Sequence, residues 1–414
     1  MTKRRVVITG MGAITPVGHN VAQTWQSLIN GVSGVGMITR FDASTLPTQI
    51  AAEVKNYNPD EHFDHKEVKK LDLYTQFAMI AAREAVNDAG ITPGSFDPDR
   101  VGVITGAGIG GILTFEEECI KCINQGPRRI SPFFIPKMIG NIAAAHISIE
   151  HNFKGINFNV MSACASANHA IGTSMRAIQY GDADIIISGG TEAAVTPLAV
   201  GGFTSMRALS TRNDDPKAAS RPFDAQRDGF VMSEGSAIIV LEELEHAKAR
   251  GAKIIAELAG YGATGDAYHI TAPTEDGEGS TRAILMAIKD AGMTINDIDY
   301  INAHGTSTPL NDKGETQAIK TAFGERAYQI KINSTKSMVG HMLGAAAATE
   351  AIACIKTIET GIIHPTINLV NPDPDCDLDY VPNCAQKLEV NAALSNSLGF
   401  GGHNSSIVIK RYQP

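Results

Sequence analysis

Short β-branched runs ending in glycine alternate along this chain with amphipathic, alanine-rich segments. RRVVITG (4–10) reads as a strand. Residues 72–90 read as a helix, with Phe77, Ile80, Ala81, Ala85 and Val86 on one face and Asp88-Ala89-Gly90 closing it. VGVITGAG (101–108) and ADIIISGG (183–190) are apolar on both faces, the pattern of parallel strands covered by helices. Between them an Ala-rich helix runs from Cys164 to about Tyr180. The second half repeats this grammar: strand 252–262, helix 280–292, strand 298–305, a short extended KINSTK (331–336) and a long Ala-rich helix over 340–361.

The two halves can be laid on each other. Asp88-Ala89-Gly90-Ile91-Thr92 matches Asp290-Ala291-Gly292-Met293-Thr294, and Gly90 and Gly292 lie 202 residues apart. Each copy follows an Ala-rich helix and precedes a strand ending in glycine. Later in each half a small-residue helix opens at a reactive side chain, Cys164 or His341. A duplicated α/β unit is expected, with sites at strand C-termini and helix N-termini where the halves meet. The charged stretch Leu241–Arg250, read as a helix and followed by Gly251, divides the chain into halves 1–251 and 252–414.

Composition sharpens this picture in three ways. The 414 residues include 40 Gly and only 6% aromatics, the mark of tight turns and a core of closely packed small side chains. A net charge of −9 speaks against nucleic-acid binding. The start, MTKRRVVITG, carries no secretory h-region, and the uncharged stretch Gly155–Met175 holds Asn157, Asn159, Asn168 and His169, so no membrane span is expected. Six scattered cysteines fit the reducing cytoplasm. Cys119 and Cys122 lack the second ligand pair a zinc ribbon needs, so no metal site is expected.

Gly106-Ala107-Gly108-Ile109-Gly110-Gly111 contains the glycine spacing of a dinucleotide turn, directly after a strand. The acidic residue that should close the next strand is missing, because FEEECIKCINQGPRR reads as helix and loop. Cys164, in Met161-Ser162-Ala163-Cys164-Ala165-Ser166, sits where a strand turns into a helix. Unpaired N–H groups and the helix dipole there favour thiolate; a small core cysteine is the other reading. His304 ends a strand before Gly305 and so projects into a cleft or caps the strand. His341 starts a helix, a place that favours neutral imidazole, and Lys336 lies in the same uncharged stretch. Gly399-Phe400-Gly401-Gly402 lies between two strands, either to aim a backbone N–H into a site or as a glycine bulge.

Together, the Cys164 segment, NAHGTSTPLND, NSTKSMVGHMLGAAAATE and GFGGHN resemble, in order and spacing, the condensing enzymes of the thiolase superfamily, and most nearly the elongating β-ketoacyl-acyl-carrier-protein synthases of class II. The resemblance implies a five-layered α-β-α-β-α thiolase-like fold made of two halves, a homodimer, and decarboxylative Claisen condensation. It makes Cys164 the nucleophile, His304 and His341 the paired histidines, Lys336 the active-site lysine that orients His341, and Phe400 the gate. Ser162 stands where the family often has Thr. Ile109, Phe203, Leu343 and Phe400 are expected to line the acyl slot, and Thr306 and Thr308 to hold the pantetheine arm. An acidic acyl carrier protein would dock on Lys66, Lys69, Lys70, Arg128, Arg129 and Arg207. No cofactor is expected beyond the phosphopantetheine carried by the substrates. A polyketide ketosynthase with the same Cys-His-His chemistry is the alternative.

Overall fold

The computed structural model describes residues 3–414. Ten strands share one hydrogen-bonded order: β1 (Val6–Ile14), β2 (Val101–Gly106), β3 (Asn157–Val160), β4 (Ile185–Ala193), β5 (Glu234–Glu243), β6 (Ala256–Gly265), β7 (Tyr300–Asn302), β8 (Lys331–Asn333), β9 (Ala392–Gly399) and β10 (His403–Lys410). Across the sheet they run β8-β7-β9-β10-β6-β1-β5-β4-β2-β3. The order is a palindrome of two five-stranded units, joined where Val6, Val7 and Ile8 of β1 pair with Leu258, Glu257 and Ala256 of β6.

The units match in detail. In each, the first strand runs antiparallel to the last, the last antiparallel to the fourth, and the fourth parallel to the second. Val7 opposite Glu242 corresponds to Glu257 opposite Lys410, and each first strand then carries one bulged residue, Thr9 or Ala259. Outside the sheet lie α1 (Leu73–Asp88) and α2 (Ile142–His151) on the first unit, and α4 (Glu278–Asp290) and α5 (Pro309–Phe323) on the second. Between the units lie α3 (Ser166–Tyr180) and α6 (Ala346–Thr360), each packed on strands of both. Five layers, α-β-α-β-α, result: the thiolase-like fold.

The small residues explain how the outer helices seat. A Cβ on Gly10 would come within 2.3 Å of the Ala85 carbonyl, and one on Gly12 within 2.0 Å of the Ala81 carbonyl. In the second unit a Cβ on Gly260 would meet the Ala287 carbonyl at 2.2 Å, and one on Gly262 the Ala283 carbonyl at 2.1 Å. Gly-x-Gly on the strand and Ala-x-x-x-Ala on the helix therefore let backbones touch, as van der Waals packing rewards. Asp88 caps the bulged strand at the Met11 N–H (3.0 Å), and Asp290 does so at Tyr261 (3.1 Å).

Two readings need correction. Leu241–Glu243 belong to β5, and the helix before Gly251 spans only Leu244–Ala249. The residue matching Cys164 is Gly344, not His341: α3 and α6 have equal length, and each follows a 3₁₀ turn, Ala163–Ala165 or Leu343–Ala345.

Candidate active site

Each 3₁₀ turn opens on a left-handed non-glycine residue, Ala163 at φ +50° and Leu343 at φ +45°. Such strain persists where surrounding structure over-determines it, and here the turns pack on each other between the two units. Cys164 follows Ala163, and its carbonyl accepts the Ser397 hydroxyl at 3.0 Å. Gly399, at the end of β9, lies flush against it: an added Cβ would be 2.7 Å from the Ser162 carbonyl and 3.3 Å from the Cys164 nitrogen. The N–H groups of Phe400 and of Cys164 itself reach the sulfur, a ready pair of oxyanion donors.

Of the two readings of Cys164, the helix terminus and the buried core position, burial has the larger effect on the thiol. Burial pushes the Cys164 thiol up to about 12, Glu192 adds to the rise, and Lys336 with the two N–H groups only partly offsets it. Desolvation outweighs the helix terminus because the side chain is 8% exposed.

A cavity of about 400 Å³ opens over the sulfur. It is lined by Cys164, Phe203, Arg207, His304, Thr306, Thr308, His341 and Phe400 among others, so eight sequence-chosen positions from both units converge. His304 and His341 stand edge to face with ring centres 5.4 Å apart. Phe230, which the sequence reading passed over, continues the wall, 5.2 Å from His341 and 5.4 Å from Phe203, whose ring lies 6.3 Å from Phe400. Thr306 and Thr308 hydroxyls bond each other at 2.9 Å. Ile109 and Leu343 do not line this cavity; they pack in an apolar cluster with Cys164 and Phe203, which do.

Burial holds both histidines well below their ordinary range, with Lys336 adding to the effect at each and His341 adding at His304. For His341 burial, rather than a helix terminus, is the leading cause. Lys336 is placed differently from the expectation. It donates to His304 Nδ1 at 3.3 Å, not to His341, and forms a fully buried ion pair with Glu350. A lysine ammonium only donates, so His304 Nδ1 accepts and its proton rests on Nε2. Glu315 holds the turn below, accepting the His304 and Gly305 N–H groups at 2.8 Å each. Glu350 stood out in the sequence only as a charge in the Ala-rich stretch 345–355, and Glu315, beside Asp312 and Lys313, carried no such signal.

The glycine turn 106–111 holds a carboxylate of the chain itself. Glu192 accepts N–H bonds from Gly108 (2.7 Å), Ile109 (3.2 Å) and Gly110 (3.1 Å), and from Gly344 of the other unit (3.1 Å). Cys119 and Cys122 are free thiols in the helix Ile112–Gln125. Lys66, Lys69, Lys70, Arg128 and Arg129 are exposed and lie outside the cavity lining, with Lys70 5.8 Å from the Phe133 ring; Arg207 stands in the lining. Among the described residues no helix is long and apolar enough to cross a membrane.

Comparison with known proteins agrees with this architecture. Residues 3–247 match the family model for the beta-ketoacyl synthase N-terminal domain, and residues 255–370 that for the C-terminal domain. The chain is 52% identical over 413 residues to a 3-oxoacyl-[acyl-carrier-protein] synthase 2 of Synechocystis, covering 100% of this chain and 99% of that one. It is 51% identical over 410 residues to the protein of the same name from Staphylococcus aureus, covering 99% of each. Among solved structures it is similar to the ketosynthase of a type II polyketide synthase in complex with its acyl-carrier protein, with TM-score 0.91, 39% identity and 100% of each chain covered.

Proposed function

The chain belongs to the beta-ketoacyl synthase family, and from that premise we propose which of its groups carry the reaction. The activity is that of a 3-oxoacyl-[acyl-carrier-protein] synthase II: a condensing acyltransferase that extends acyl chains on an acyl carrier protein in fatty acid biosynthesis. The observation that carries the assignment of roles is the convergence, in one cavity, of a cysteine beneath two backbone donors and a pair of neutral histidines.

Cys164 loses its proton as the acyl thioester arrives, and the sulfur attacks the carbonyl carbon. The N–H groups of Cys164 and Phe400 hold the oxyanion, the carrier's thiolate leaves, and that thiolate takes up a proton. The exchange is thioester for thioester, so it is near balance. Burial keeps the thiol protonated at rest, and the proton that it loses balances the one taken up by the carrier's departing thiolate.

Malonyl-carrier then binds with its thioester oxygen at the histidines. The bond to the carboxylate breaks, CO₂ departs, and the electron pair moves onto that oxygen as an enolate. His304 and His341 donate N–H bonds to it. Neutral imidazoles serve here because they stabilise charge that exists only after the bond breaks. Lys336 fixes the His304 tautomer and Glu350 fixes Lys336. The enolate carbon attacks the Cys164 acyl group, a C–C bond forms, the C–S bond breaks, and the released thiolate takes a proton from water. Thr306 and Thr308 line the path of the pantetheine arm. Each step uses the chain's own groups with no redox cofactor, and the carrier docks through Arg207 and the exposed Lys66, Lys69, Lys70, Arg128 and Arg129. The working unit is a homodimer, each chain built of the halves 1–251 and 252–414. Six free cysteines suit work in the cytoplasm.

Intact mass spectrometry after mixing with a long-chain acyl-carrier thioester tests the reading. One acyl group per chain is expected, absent in Cys164→Ala. An adduct that survives the substitution, or none on folded wild-type protein, would overturn it.

A further inference from the structure

Arg227 is an interior guanidinium that the condensation uses for no bond. Its side chain is 4% exposed. It stands outside the cavity lining, directly before Asp228, Gly229 and Phe230, which belong to it. Four hydrogen bonds leave it: Nε to the Thr308 carbonyl at 3.2 Å, Nη2 to the Pro309 carbonyl at 3.0 Å, and Nη1 to the Asp224 carbonyl at 2.9 Å and to Asp373 Oδ2 at 2.5 Å. Asp312, in the first turn of α5, adds a buried carboxylate 3.5 Å from Nε.

These bonds sew together two walls of the cavity, one from each half of the chain. The Gly229 N–H donates to the Ser307 carbonyl at 3.1 Å, the Arg221 N–H to the Ser307 hydroxyl at 3.0 Å, and the Phe223 N–H to the Asp312 carboxylate at 2.9 Å. Ser307 is left-handed at φ +68°, a strained conformation that its surroundings must hold. Its neighbours on either side are Thr306 and Thr308, which line the cavity with their hydroxyls bonded to each other. Arg227 grips this turn just past Ser307, at two successive carbonyls. A planar fork fixes both carbonyls at once; a lysine ammonium brings the charge without the fork.

A strap holds Arg227 from the other side. Over 373–380 an acid stands at every second position, and between them Cys376, Leu378 and Tyr380 are buried in one apolar cluster with Phe223 and Ile319. That is the alternation of an extended segment with one face inward. The acids pair in turn with Arg227, Lys313, Lys320 and Lys331. Asp224 ties down the start of the strap, accepting the Val370 and Asn371 N–H groups at 2.8 and 2.7 Å. A buried ion pair is weak evidence for stability, and this one is spent on backbone geometry beside the threonines.

We propose that Arg227 is a positioning residue for the pantetheine arm: clamped by Asp373, it sets the Thr306–Thr308 turn so that both hydroxyls meet the amide groups of the arm. This rests on the role given to the two threonines above. Arg227 makes no bond to the Cys164 turn or to the glycine turn at Phe400, so its loss weakens capture of the arm and leaves the sulfur and its oxyanion donors in place.

The test is acyl transfer to Cys164 from two octanoyl thioesters, one of pantetheine and one of ethanethiol, which lacks the amides. Intact mass follows it over a range of concentrations. Arg227→Lys is expected to raise KM for the pantetheine ester about tenfold with the limiting rate kept, the mark of lost binding felt equally in ground and transition state. Transfer from the ethyl ester should change less than twofold. In a Thr306→Val, Thr308→Val background the same substitution should leave KM unmoved, because the groups through which Arg227 acts are gone. Equal losses with both esters would overturn the proposal and make Arg227 a structural residue; so would an unmoved KM, or a tenfold rise that persists without the threonine hydroxyls. If Arg227→Lys does not fold, Asp373→Asn releases the clamp from outside. KM for the pantetheine ester should then rise about threefold, and no change would count against the proposal. Wild type that takes both esters equally well would remove the arm-holding role of the threonines, and wild type acylated by neither would sink the condensing reading itself.

Discussion

The two 3₁₀ turns at the heart of the molecule are the same backbone put to opposite uses. Residues 163–165 and 343–345 precede helices of equal length, begin with a left-handed residue and face each other between the sheets. At the first, the central residue is Cys164, and the facing strand of the other unit ends in Gly399, which leaves room over the sulfur. At the second, the central residue is Gly344. The facing strand carries Glu192, which by pairing register occupies the place of Gly399, since Ile185 opposite Glu242 corresponds to Ala392 opposite Lys410. The carboxylate fills the space and takes the N–H group. Duplication therefore built two like turns; one stays open to the cavity over Cys164, and the other is stoppered by the chain's own carboxylate.

The sharpest way to break this comparison is at the working turn. Cys164→Ala should lower condensation by about four orders of magnitude or more, in line with loss of a covalent nucleophile, measured as 3-oxoacyl product formed. Lys336→Met comes next. It leaves Glu350 buried without its cation, a loss of about 3–5 kcal/mol by denaturant unfolding, and slows CO₂ release from malonyl-carrier. Its pH dependence has a definite sign. Glu350 is raised by burial to about 7 even with Lys336 present, so its contribution to stability is full below the ordinary value of 4.5 and is lost as pH rises through 7. Without the lysine the carboxyl rises further, so the deficit of the variant should widen between pH 5 and pH 8.

At the stoppered turn, Gly344→Ala tests whether the copy is as tightly closed as the geometry says. The new methyl meets the Gly108 backbone, and a loss of about 3 kcal/mol is expected by chemical denaturation. A neutral outcome would mean that the second turn yields, and the contrast between open and filled would fail. A smaller effect compares the outer layers: Gly10→Ala and Gly260→Ala should each cost about 1–3 kcal/mol and differ little, because their clashes are alike. The smallest effect is a null one. Both histidines titrate well below 6.5, so neither should itself impose a pH dependence on CO₂ release between pH 8 and pH 6; the stability they contribute by staying neutral is full above 6.5 and is lost progressively as pH falls from there through their lowered values.

Much of this was legible in the chain. The Asp-Ala-Gly-x-Thr pair marked the duplication because both copies close the same outer helix with the same left-handed glycine, Gly90 at φ +63° and Gly292 at φ +68°. Four separate motifs supplied the cysteine, the histidines, the lysine and the glycine turn, since each is a local strand-to-helix or strand-to-strand junction with its own residue signature. The partner of Lys336 was not legible. Which histidine a lysine touches depends on three segments meeting in the interior, and the Cys164–His341 equivalence failed because short motifs show residue types without register.

Local pattern carried the elements, their doubled order and the candidate residues of the cavity, because hydrophobic period, turn glycines and small-residue spacing act over a few residues. The packed interior decided the rest. It set burial against a favourable helix terminus and raised the thiol to about 12, made a nucleotide-like glycine turn the cradle of Glu192, and took Ile109 out of the cavity wall into the apolar cluster that holds Cys164. Those outcomes depend on desolvation and on contacts between units far apart in sequence, and neither is written in any one segment.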